Sequence, residues 1–203
     1  MVHDFSEKLA RIIGDKTNRS KSLSVYCYAL ELLFTTVLGY AAILLLSVLF
    51  LQFRYGIIFI LLFSPLRAVV GGYHAKKYLT CFLCTCGLYS GQIFLFLILH
   101  HADLNILSIY GILLLCCVYI MLRSPIQNAA QPLTERRLWV NQIVSRVLVI
   151  TECITLVFVS RISEDVFIFS AISMAQVAVL MCISDITRRR EGRRWNLFQN
   201  ALR

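Results

Sequence analysis

Six apolar runs, at about 31–53, 56–70, 79–99, 106–122, 141–160 and 164–183, take up more than half of this 203-residue chain. Each reaches or approaches the roughly 20 residues that cross the hydrocarbon core of a bilayer. No strand-like alternation accompanies them. A bundle of membrane-spanning helices is therefore the expected fold, because only a helix or a closed barrel satisfies every backbone N–H and C=O within lipid. Composition agrees: 59% of residues are hydrophobic and 15% charged, where a soluble domain carries about 25% charged residues. The fold class is all-α and polytopic, one membrane-embedded domain over residues 1–203. The first run is too long for one span and is expected to begin as an interfacial helix near Ser22. The second is short and carries Pro65 and Arg67, so its end is expected to be irregular and shielded by protein.

Charge sets the orientation. Twenty Lys and Arg face 11 Asp and Glu, a net charge of +9. In a soluble chain that excess would suggest nucleic acid; in a membrane protein it is first the bias that keeps cationic loops in the cytosol. With the N-terminus inside, eighteen of the twenty basic residues, all but Arg54 and Arg161, fall on the cytosolic side. Both termini are thus expected in the cytoplasm of a multi-pass cell-membrane protein, with no nucleic-acid partner. Residues 1–22 lack the apolar core of a secretory signal. They place Phe5, Leu9, Ile12 and Ile13 on one helical stripe among Lys8, Arg11 and Lys16, as in an amphipathic helix resting on anionic membrane lipids or on the protein itself. Residues 184–203 form a basic tail. Cys27, Cys116, Cys117, Cys153 and Cys182 lie within apolar runs and read as small hydrophobes.

One stretch departs from the apolar pattern. It runs from Arg67 through Gly71-Gly72-Tyr73-His74-Ala75-Lys76-Lys77 to Cys81 at the opening of the third run. The Gly pair permits unusual backbone geometry and close approach of another segment. A thiol must become a thiolate to attack a carbonyl. The first turn of a helix offers partial positive charge for that, and Lys76 and Lys77 add full charges. His74 is placed to take the proton and return it to a leaving amine. On a continuous helix seven residues would separate His74 from Cys81 by about 10 Å. The segment around His74 must therefore be non-helical and fold back, which Gly71 and Gly72 allow.

Arg67, the Gly71–Ala75 segment and Cys81 resemble the signature of the accessory gene regulator protein B (AgrB) family. These are membrane cysteine endopeptidases of Gram-positive bacteria that process the precursor of a quorum-sensing peptide. The resemblance extends over most of the chain and includes a central loop with Pro125, Asn128, Pro132, Leu133 and Arg136. It implies that His74 and Cys81 are the catalytic pair and that Arg67 and Gly72 belong to the same motif. It also implies an AgrD-type precursor peptide as substrate, a Cys81 thioester, release as a cyclic thiolactone or lactone, and a homodimer. No metal or other cofactor is expected. The family's loop often has lysines before its proline, where this chain has Gln127-Asn128-Ala129-Ala130-Gln131.

Other readings are weaker. Cys81, Cys84 and Cys86 with His74 suggest a metal site, but no second Cys or His knuckle completes it. Cys84 lies a turn deeper in the apolar run than Cys81. His100 and His101 read as solvated loop residues. Glu31 and Glu152 lie near or within apolar runs, where an acid is usually paired or functional. Arg146 and Arg67 are the expected partners of Glu152. With Gln127 and Asn128, Glu152 is also a candidate to orient His74. A small transporter would be expected to show internal repeats and matching broken helices, and no repeat is evident.

Overall fold

A computed structural model describes residues 23–71, 78–102, 105–126 and 134–201. The described residues form six helices: α1 (Leu23–Leu49), α2 (Phe53–Val70), α3 (Tyr78–His100), α4 (Ile106–Arg123), α5 (Glu135–Val159) and α6 (Glu164–Ala201). Helices α2 to α6 are each long and apolar enough to cross a membrane, and α1 carries a shorter apolar stretch at Leu33–Leu49. The protein is therefore an all-helical, multi-pass membrane protein. The amphipathic segment expected at 1–22 lies outside the described residues.

The first expected span is corrected. The 31–53 run does not continue as one helix: α1 starts at Leu23 and ends at Leu49, and Leu51 adopts a positive φ of 56° before α2 begins at Phe53. That left-handed residue reverses the chain into an α1–α2 hairpin. The two helices then approach closely at Gly56, where an added Cβ would lie 2.6 Å from the Ser47 side chain. The irregular end expected for the second span is also absent. Pro65 sits inside α2, which continues to Val70.

Helix α6 is the hub, packing against α2, α3, α4 and α5. In its apolar window, 61% of residues are buried, against 17–33% in the other four spans. Its sequence explains why. Ser170, Ala171, Ser173, Ala175 and Ala178 let neighbouring backbones come close, while Phe167, Phe169, Met174 and Met181 fill the spaces between. Tyr55 and Phe96 pack their rings on Phe169, with centroids 4.6 Å and 5.7 Å away. Gln92 of α3 is fully buried and donates to Phe169 O and Ser173 Oγ at 2.9 Å and 2.6 Å. Large apolar residues such as Leu97, Leu115, Leu122 and Phe158 point outward, as a lipid-facing surface requires.

The bundle has two distinct ends. At one, His100 closes α3 and its Nδ1 lies 3.0 Å from Asp165 Oδ1 on α6. This corrects the reading of His100 as a merely solvated loop residue: the end of α3 meets the acidic first turn of α6. At the other end the basic residues gather. Arg123 and Arg189 both pair with Asp185, and α6 continues past residue 183 to Ala201 as one helix of 38 residues.

Candidate functional site

At the basic end, the last turn of α2 meets the first turn of α3. Arg67 is in the last turn of α2, where a cation complements the partial negative charge of the helix terminus. Cys81 is the fourth residue of α3 and is half-buried. One Arg67 nitrogen, Nη2, lies 4.0 Å from Cys81 Sγ, and Nη1 reaches Thr85 Oγ1 at 3.5 Å. The guanidinium also sits over the Phe63 ring, 5.4 Å from its centroid. Thr85, one turn along α3, donates its hydroxyl to Cys81 O at 2.9 Å. Arg67 thus spans two helices and holds its charge beside the sulfur.

This placement corrects one expectation. Glu152 is buried and faces the bundle, but forms no ion pair with Arg67 or Arg146 among the described residues. Arg67 lies against a thiol and a threonine. The sequence reading missed Thr85. Its signal was present: it follows Cys81 by four residues and therefore shares its helix face.

The loop between α2 and α3 is anchored where it leaves α2. Gly71 has a φ of 75° and pairs with Ile126 in a single parallel bridge. Ile126 N donates to Val70 O at 3.0 Å. A Cβ at Gly71 would stand 2.5 Å from Ile126 O, so both the backbone conformation and the space require glycine there. The Ile126 side is itself held. Ser124 is buried and its hydroxyl donates to Ser145 Oγ of α5 at 2.8 Å. Residues after α4 therefore brace the start of the Gly-Gly loop.

Gly72, His74, Lys76 and Lys77 lie outside the described residues, as do Gln127, Asn128 and Pro132. The structure thus brings Arg67, Gly71 and Cys81 to one end of the bundle, together with Thr85 and Ile126. Of the neighbouring thiols, Cys84 is exposed on the outer surface of α3 and Cys86 is half-buried. No group of three or more His, Cys, Asp or Glu side chains suited to a metal ion occurs among the described residues.

The sequence model of the accessory gene regulator B family matches residues 6–184, most of the chain. No curated protein and no solved structure gives a significant match.

Proposed function

Because the chain belongs to the accessory gene regulator B family, we propose that it is a membrane cysteine endopeptidase acting on a small AgrD-type precursor peptide. Cys81 is the nucleophile and His74 the acid–base partner. The observation that carries this reading is the contact between Arg67 and Cys81, at the mouth of the loop that bears His74. A buried lipid-facing cysteine would have no use for a guanidinium beside it. A cysteine that must become an anion during reaction does.

In this mechanism Cys81 loses its proton to His74 and attacks a carbonyl near the C-terminal end of the peptide. The carbon–nitrogen bond breaks, the leaving amine takes the proton from His74, and the peptide remains as a thioester on Cys81. A cysteine or serine side chain within the same peptide then attacks the thioester. It closes a thiolactone or lactone and returns the thiol. Ring closure outruns hydrolysis when the internal nucleophile is held in place, since effective molarities of about 10⁵ M or more exceed that of water. Gly71, braced on Ile126, sets where the loop carrying Gly72 and His74 departs. Arg67 fixes the guanidinium plane, and Lys76 and Lys77 add positive charge for an acidic substrate. The active site faces the cytoplasm, both termini lie on that side, and membrane lipids surround the spans.

The deciding experiment is mass spectrometry of the protein co-expressed with its precursor. A peptide joined to Cys81 through a thioester is expected, and it should accumulate when the cyclising side chain of the peptide is removed. Undiminished processing in Cys81→Ala or His74→Ala membranes would sink the assignment.

A further inference from the structure

A second sulfur group lies deep in the bundle, away from Cys81. Cys117 of α4 and Cys153 of α5 bring their Sγ atoms to 2.8 Å, and Met174 of α6 places its thioether 3.2 Å from Cys117 Sγ. Both distances are shorter than the roughly 3.5–4.0 Å of ordinary nonbonded contact. Cys117 is buried and Cys153 half-buried. Glu152, next to Cys153, is also buried and has no hydrogen-bond or ion-pair partner among the described residues. Two thiols from different helices and a thioether thus meet in an apolar interior, with a buried acid next to one of them in sequence.

We infer that Cys117 and Cys153 form a disulfide-forming pair whose oxidant is a lipid-soluble quinone. The sulfurs need close by less than about 1 Å to reach bonding distance. In the reaction each thiol gives up its proton and one sulfur–sulfur bond forms. The two electrons pass to the quinone, which takes up two protons and becomes the hydroquinone. Glu152 is positioned in sequence and burial to accept a proton as the first thiol reacts. Location selects the partner. Charged, water-soluble thiols such as glutathione do not enter hydrocarbon, so the pair is insulated from the reductants that keep soluble cysteines reduced. Quinones dissolve in that same layer. The bond would close a ring from α4 to α5 across 36 residues of sequence, enclosing Arg123 and the Ser124–Ile126 brace. The inference is independent of the peptidase reading, since neither thiol belongs to that site.

The test uses the full chain in native membranes, treated with tetramethylbenzoquinone, which has no open ring position for a thiol to add to, or with diamide. Samples are denatured under alkylation, digested and mapped by mass spectrometry. The expected result with both oxidants is a Cys117–Cys153 linked peptide in the majority of molecules, two hydrogens lighter than its parts and released by a phosphine. Cys116→Ala should retain the link and Cys153→Ser should lose it. If both cysteines stay alkylatable while exposed Cys84 and Cys182 are oxidised in the same sample, the pair is overturned. Linkage with diamide alone overturns the quinone as its oxidant.

Discussion

Cys81 and Cys117 are both thiols on helices of one bundle, yet their surroundings differ in kind. Cys81 stands in the first turn of α3, half-buried, with a guanidinium 4.0 Å from its sulfur and a threonine one turn away. Cys117 stands well inside α4 with sulfur on two sides. The first environment places a positive charge beside the sulfur, at the end of its helix. The second supplies no cation among the described contacts and favours neutral, polarisable neighbours. A cysteine count therefore says little about chemistry; position along a span says most. The same contrast separates the two proposed reactions, attack on a carbonyl at the membrane edge and electron transfer in the interior.

The sharpest break in that comparison is substitution of the thiols themselves. Cys81→Ala should lower precursor cleavage by at least about 1,000-fold, while Cys117→Ala and Cys153→Ala stay within about threefold of the parent after correction for expression. Cleavage of a tagged precursor, followed by immunoblot in isolated membranes, separates the cases. Equal losses at Cys81 and Cys117 would mean that the bundle, rather than the nucleophile, is being measured.

The brace comes next. Gly71→Ala forces a left-handed conformation that costs an ordinary residue about 1–2 kcal/mol and drives a methyl group against Ile126 O. Processing should fall about tenfold or more, with membrane insertion unchanged by protease protection. Retained activity would show that the loop departs from α2 in another way. Arg67→Lys follows: it keeps a positive charge but loses the planar fork that spans Cys81 and Thr85. A decrease of about tenfold is expected, with slower iodoacetamide labelling of Cys81 and no change at Cys182. Full activity in this variant would reduce Arg67 to a topological charge. Thr85→Val, which removes only the hydroxyl, should cost about threefold in the same assay. The smallest effect marks the baseline. Arg189→Ala removes an exposed partner of Asp185 that Arg123 also serves, and processing should change by less than about twofold.

Much of the fold was readable from hydropathy, because burial in lipid demands runs of apolar residues whatever their neighbours. The spans expected at 79–99 and 106–122 differ from α3 and α4 by a residue or so at each end. Sequence pattern says least where hydropathy stops reporting helicity. Residues 184–201 continue α6 with Arg, Glu, Leu, Gln and Ala, which are good helix formers in water as well as lipid. Leu51 reverses the chain inside the expected 31–53 run, a few residues before the boundary that the sequence pattern marks. The site was legible in part. Arg67 and Cys81 stood out as a charge and a thiol at run boundaries, but their contact joins two helices and needs the packing of α2 on α3 to be known. Thr85 was marked only by its spacing from Cys81 and Ile126 by nothing; each matters because of what it touches. The pairing of Glu152 with Arg67 failed for the same reason: a periodic pattern shows which face a residue occupies, not which neighbour that face meets.

Helix α6 has a consequence for how such a chain can change over generations. Its apolar window is enclosed by α2, α3, α4 and α5, so it has little outward surface on which side chains can drift. Leu115 or Leu122 on α4 can be exchanged for another lipid-soluble residue with little penalty, since acyl chains rearrange around any shape. Ser173 or Ala178 cannot enlarge without displacing a neighbouring helix. Substitutions should therefore accumulate unevenly, with the outer faces of α3, α4 and α5 diverging quickly and the serine–alanine core of α6 slowly, even though none of its residues takes part in the proposed reaction.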